Sequence, residues 1–301
     1  MITREMIRNG RPTSVGSLVC TQKIVDDGIS TLFYHTAIHM CREDFIGGKN
    51  DERDFQQLTK FFSLLRDRLS SVFNFREASY VDDYGVFTFS AQDGWLCLAD
   101  LPLPLDPALA QDVFMGMLTI LDEYRQCDIN NNGYRPLLFI CRESVYVQLD
   151  ETGRLAAIRL LPLPYNKRIL YAGMPHEVFH KKADISTDIY MAAYLYLSLR
   201  FTEEQSFDES EFSLCDCLAE RCLSPFTMRR PSLEQLMETF GEESNQKDAE
   251  TPTNAVPAVN KACESIRYDY NDVEPQKRAK KRGLKRLESL FSTEAADAED
   301  E

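Results

Sequence analysis

Residues 171–199, YAGMPHEVFHKKADISTDIYMAAYLYLSL, divide into a polar half and an apolar half. Pro175 and Glu177 stand in the first. Ten residues later Thr187 and Asp188 precede the apolar run that begins at Ile189. Thr and Asp are residues that accept hydrogen bonds from the free amides of a helix start, so the spacing predicts a helix opened by Thr187 and Asp188. About 40 residues downstream comes AERCLSPFTMRRPSLEQLMETF, residues 219–240, with Arg229, Arg230, Pro231 and Ser232 at its centre.

Taken together, these two stretches resemble the C-lobe of the protein kinases. That family has a Pro-Glu after its activation loop, a buried helix opened by an Asp in a context such as Ser-x-Asp-Ile-Tyr, and a closing Arg-Pro-Ser segment. Here the matches are Pro175 and Glu177, Ser186 to Tyr190, and Arg229 to Ser232. His176 intervenes where the family has its Pro and Glu adjacent. Two such matches in the right order carry more weight than either alone. The resemblance implies an α+β, two-lobed protein-kinase-like fold with a small β-rich N-lobe and a mainly helical C-lobe. It also implies an ion pair between Glu177 and Arg230, and an Asp188 that accepts hydrogen bonds from the catalytic-loop backbone.

Moving outward, residues 14–24 and 30–40 are rich in β-branched and aromatic residues on either side of Asp26-Asp27-Gly28, which predicts a hairpin. Residues 47–73 shift to helical spacing, with Phe55, Leu58, Phe62, Leu65 and Leu69 on one stripe. YGVFTFS and GWLCLADL follow as two strands joined by an Asp93-Gly94 turn. After the linker PLPLDP, residues 108–127 form a long amphipathic helix carrying Val113, Phe114, Met117, Leu118 and Leu121. Residues 1–100 are thus expected as N-lobe and 101–241 as C-lobe.

Beyond Phe240 large apolar residues become scarce, and residues 242–301 are expected to be a disordered tail. Inside it, QKRAKKRGLKRLESLF (residues 276–291) sets a basic cluster that includes Lys280, Lys281 and Arg282 beside Leu284 and Leu287, the pattern of a basic amphipathic helix. These five are the candidate partner-binding residues, toward either a protein groove or an anionic surface.

The whole chain of 301 residues carries a net charge of -14, which argues against nucleic acid as partner of the main domain. Nine cysteines without an apolar leader, and no run of 18 apolar residues, predict a reducing, cytoplasmic setting with no transmembrane segment. Cys215, Cys217 and Cys222 lack the second pair that a zinc site needs. Asp128 to Gly133 opens like a calcium loop, yet Phe139 stands where the closing Glu must be. His176 and His180 find no third ligand, so no metal is expected.

Phosphoryl transfer in the kinase manner needs a base Asp, a metal-binding Asn five residues later, a metal-binding Asp opening the activation loop, and a Lys on the third strand. With the Asp150-Glu151-Thr152-Gly153 turn as anchor, the base triplet becomes Tyr134-Arg135-Pro136 or Leu137-Leu138-Phe139. Neither contains an acid. No Asp occurs between Asp150 and Asp184, and Arg159 takes the metal-Asp position. His39 takes the nucleotide-Lys position in Thr36-Ala37-Ile38-His39. The resemblance therefore implies a pseudokinase: no catalytic residue, no cofactor, weak or no ATP binding, and a role in binding a protein partner. Two other classes stay open: an atypical nucleotide-using enzyme drawing on Asp150, Glu143 or Glu151, and an unrelated α+β interaction protein.

Overall fold

The computed structural model describes residues 2–13, 16–24, 30–40, 51–92, 94–127, 134–161, 175, 177–178, 182–201 and 212–247. They form a mixed α+β structure with a five-stranded antiparallel sheet, a second sheet of three strands, and several helices. The first sheet runs β1 (Arg11–Thr13), β2 (Gly16–Ile24), β3 (Ser30–His39), β5 (Tyr84–Gln92), β4 (Phe75–Val81). The hairpin read from the sequence is β2 against β3, with Leu18 opposite Thr36 and Cys20 opposite Tyr34. Gly16 sits at the close crossing of these strands. A Cβ there would stand 2.0 Å from the Ala37 carbonyl oxygen, so only Gly fits.

Alternation along β3 separates the sheet's two faces. Tyr34 and Ile38 face the main core, where α2 (Asp51–Arg68) lays its stripe of Phe55, Phe62 and Leu65. Rings meet there at 4.6 Å for Phe55 with Phe87 and 4.9 Å for Phe62 with Phe87. Ala37 faces the other way and joins Val19 and Val86 beneath Ile7 of the short helix α1 (Arg4–Arg8).

The second sheet runs β6 (Leu96–Cys97), β7 (Val145–Leu149), β8 (Leu155–Leu160). Here the structure corrects two expectations. GWLCLADL does not pair with YGVFTFS: only Leu96 and Cys97 are strand, and their partners are Val147 and Tyr146, about 50 residues away. The neighbour of β5 is instead β4, an edge strand whose Arg76 and Glu77 interrupt the apolar alternation by which strands are read.

The helical side is built on α3 (Pro107–Gln126), started by Asp106, whose carboxylate takes the amides of Ala108 and Leu109. It packs on α4 (Ile185–Arg200) with Phe114 stacked on Tyr196 at 5.1 Å, and on α6 (Leu233–Lys247) through Phe240. The start of α4 is also corrected. Its cap is Asp184, in a reciprocal pair with Thr187, so Asp188 lies one turn inside the helix and is fully buried. α5 (Leu214–Cys222) lies between α4 and α6 in the chain. α6 continues to Lys247, past the composition break at Phe240; Glu, Gln and Lys are adequate helix formers whatever their polarity.

One apolar cluster runs unbroken from Leu18 in β2 to Phe240 in α6. Among the described residues no helix is long and apolar enough to cross a membrane. Phe62, in ring contact with Phe75, Phe87 and Phe89, is the joint between α2 and the sheet. Truncating it to Ala is expected to cost about 3–5 kcal/mol in denaturant unfolding, because the site cannot collapse around the void, whereas Leu64→Ala on the exposed face of α2 should change stability by no more than about 0.5 kcal/mol.

Candidate functional site

The chemistry-bearing residues converge at the N-terminal end of α4. Asp188 has no solvent exposure, and its two oxygens serve one irregular segment, residues 134–139. Oδ2 accepts from the Tyr134 hydroxyl at 2.6 Å and the Leu137 amide at 2.9 Å; Oδ1 accepts from the Leu138 amide at 3.2 Å. Leu138 is held at φ 57°, a left-handed conformation that costs a residue with a Cβ about 1–3 kcal/mol and persists only where its surroundings impose it. Asp188 holds the peptide that enters Leu138. Burial pushes its carboxyl up to about 6 even though the three donors favour the charged form. Tyr134 is tied further to α3, its ring 5.5 Å from Tyr124, whose hydroxyl donates to the Arg135 carbonyl.

The second buried acid is Glu177. It forms a bidentate ion pair with Arg230, one arm through Nη1 and Oε1 and the other through Nη2 and Oε2 at 3.2 Å. Arg230 also donates to the carbonyls of Ser186 at 3.0 Å and Ser224 at 2.9 Å, and its guanidinium lies 4.7 Å from the Tyr190 ring. The Thr187 hydroxyl donates to Glu177. This one cation therefore joins Glu177, the start of α4 and the loop before α6.

Above Asp188, residues 135–139 and α2 enclose a groove of about 210 Å³. Leu58, Phe61, Leu137 and Leu138 make its walls, with Asp54 and Gln57 at the rim. Arg135 lies over the Phe61 ring at 3.9 Å. Phe139 is buried against Phe73, and Ser144 closes a turn on Cys141, donating to its carbonyl and accepting from its amide.

A scan against protein-family models finds no match for this chain, and a search of the curated proteins finds none either.

The other sequence candidates fall as follows. His39 is on the face of β3 opposite α2, 2.5 Å from Asp83 and edge-on to Tyr84; Ile38 is the residue turned toward α2. Arg159 on β8 lies over Trp95 at 4.5 Å and donates to the Ser71 carbonyl at 3.2 Å. Burial lowers its pKa. Asp150 is taken up by its own turn, accepting from the Thr152 amide and hydroxyl and the Arg154 amide. Cys215, Cys217 and Cys222 lie along α5, outside any disulfide. Among the described residues no cluster of three or more His, Cys, Asp or Glu could hold a metal. The tail candidates Lys280, Lys281, Arg282, Leu284 and Leu287, the calcium-like residues 128–133, and His176 and His180 lie outside the described residues.

Sequence reasoning placed Tyr134 only in a candidate base triplet, not as a partner of Asp188, and missed Arg142. Arg142 donates from Nη2 to the carbonyls of Leu98, Ala99 and Leu101, at 3.3, 3.4 and 3.3 Å. Nothing in the local sequence marks either residue, because both partners are remote in the chain.

Removing Arg230 leaves Glu177 buried and uncompensated, so Arg230→Ala is expected to lose about 3–5 kcal/mol by denaturant unfolding, with Glu177→Ala in the Arg230→Ala background costing much less than it does alone. For Asp188 the folded pKa of about 6 exceeds the unfolded value of 3.8. Its contribution to stability is therefore complete below the unfolded value and lost as pH rises through about 6. Relative to Asp188→Asn, the native protein should lose on the order of 3 kcal/mol between pH 4 and 7, measured by urea unfolding at each pH.

Proposed function

We propose that this chain is a two-lobed, protein-kinase-like domain without phosphotransfer activity that works as a protein-binding module. The observation that carries the reading is what Asp188 holds. In the kinases the matching Asp accepts hydrogen bonds from the catalytic-loop backbone, and here it accepts from Leu137 and Leu138. That favours the register Leu137-Leu138-Phe139 for the base triplet. Phe139, an apolar ring packed in the core, then stands where the base Asp belongs. Ser144 falls at the metal-Asn position, with its hydroxyl committed to a turn. Arg159 at the metal-Asp position would repel magnesium, and no side chain on the α2 face of β3 is a phosphate clamp.

The Glu177–Arg230 pair supports the same assignment, since it is the brace that the resemblance implies. Retained braces around a loop without acids suit a scaffold, which needs the shape of the fold and not its chemistry. An enzyme reading built on Asp150 gains nothing from the geometry, because its carboxylate caps its own turn. The seven described cysteines outside any disulfide suit a reducing compartment.

Purified protein is expected to give no magnesium-dependent phosphotransfer and no thermal stabilisation by millimolar ATP with magnesium. A nucleotide bound at 100 times its Kd would stabilise by about 2.7 kcal/mol, an effect plainly visible in a melting curve. Phosphotransfer that substitutions at Phe139 or Arg159 abolish would overturn the reading.

A further inference from the structure

We propose that residues 2–13 form an acid-released strap, freed from the outer face of the first sheet when the His35 ring takes up a proton. The proposal goes beyond the binding-module reading and is independent of phosphotransfer.

The strap is α1, β1 and the residues that join them, and it lies on the face of the sheet turned away from α2. There Ile7, with no solvent exposure, packs on Val19, Ala37 and Val86, a cluster separate from the main core. Gly10 passes so close over Val19 that a Cβ would stand 2.8 Å from its Cγ2. The strap is tied further by the short β1–β2 ladder, by Arg4 with Asp83 at 3.5 Å and by Arg11 with Asp100 at 2.6 Å. Both ion pairs are exposed, and exposed pairs hold little, so the apolar contact is what keeps the strap down.

His35 lies in the same face, beside that contact. Alternation along β3 puts His35, Ala37 and His39 on one side, and Val19 stands opposite His35 in the ladder. The ring is 9% exposed and bridges two strands: Nε2 meets the Thr21 hydroxyl of β2 at 2.9 Å, and Nδ1 meets the Thr88 hydroxyl of β5 at 3.1 Å. A neutral imidazole offers one donor and one acceptor, so one of the two hydroxyls donates to it. An imidazolium has two N–H groups; that hydroxyl must then seek another acceptor while the new charge sits out of water. The strap adds Arg4, Arg8 and Arg11 against a single acid, Glu5. On the sheet the same face carries Lys23, Arg76 bonded to Ser90, Glu77 opposite Thr88, and the His39–Asp83 pair. Burial lowers the His35 pKa, the positive amino terminus adds to this, and Glu77 opposes it. The ring is therefore neutral while the strap is down, and lifting the strap lets water reach the face and favours the proton. By linkage each event favours the other. The hold on the strap is complete above the ordinary histidine value of 6.5 and weakens as pH falls below it, by at most about tenfold in the closed-to-open ratio per pH unit.

Hydrogen exchange read by mass spectrometry on the full chain, at about pH 7.5 and about pH 5 and corrected for the intrinsic pH dependence of exchange, tests the proposal. Peptides from residues 2–13 should lose protection about tenfold at the lower pH, while peptides from α3 keep theirs. His35→Gln, which cannot titrate, should give the strap equal protection at both pH values, whereas His39→Gln should keep the native difference. A second readout does not depend on the folding of His35→Gln: by NMR, the His35 ring should titrate at a higher pH in Ile7→Ala than in the unaltered protein, because a loosened strap no longer excludes water from it. Equal strap protection at both pH values in the native chain, the same loss in His35→Gln, a loss that vanishes in His39→Gln, or a His35 midpoint that Ile7→Ala leaves in place would each overturn the proposal. A parallel loss in α3 would do so too, since the whole fold and not the strap would then be opening.

Discussion

A carboxylate placed in a protein interior must find donors or lose its charge, and Asp188 finds three in the space of five residues. That constraint shapes everything around it. The carboxylate fixes the peptide planes on either side of Leu137, and the chain turns at the next residue, Leu138, which is left-handed. The turn drives Phe139 inward against Phe73 and leaves Leu137 and Leu138 to wall the groove against α2. The Tyr134 hydroxyl completes the set and draws α3 in through Tyr124. A stretch without secondary structure is thereby tied to both α3 and α4.

Glu177 poses the same problem a few residues away and has a different solution. Asp188 is held by neutral donors, and burial still raises its pKa, whereas Glu177 is met by a full opposite charge. Both acids lie at the N-terminal end of α4, where unpaired helix amides favour negative charge. Asp184 caps that helix and Arg230 takes the Ser186 carbonyl, so cap, ion pair and loop support share a single turn of chain. This concentration explains why two separated sequence segments, one before α4 and one before α6, both carry recognisable patterns: they meet at one guanidinium.

How much of this was legible in the sequence depended on the distance over which each feature is decided. The stripes of α2 and α3 and the β2–β3 hairpin are local, written in residue spacing, and were readable. Glu177 with Arg230 was readable only through a resemblance, since no spacing rule joins residues 53 apart. β4 hid because Arg76 and Glu77 break its alternation, as suits an edge strand. The Asp93-Gly94 turn pointed to a hairpin, but Trp95 and Cys97 find their burial in the core beside β7, and tertiary burial outweighed local turn preference. The Leu138 conformation left no trace, because Leu is not a residue that favours it. His39 shows the cost of a match by type alone: a shift of one position along a strand moves a side chain through the sheet.

Arg142 gives the passage from the second sheet to α3 a mechanical character. The chain leaves β6 through a tight turn at Leu98–Asp100, and one guanidinium gathers three carbonyls of the Leu98–Leu101 stretch while the Cys97 thiol donates back toward the Arg142 carbonyl. A connector held this way behaves as a weld, not a pivot. Bending it would strand a partly buried cation and three acceptors at once, so the exit from β6 and the entry to β7 hold one fixed posture.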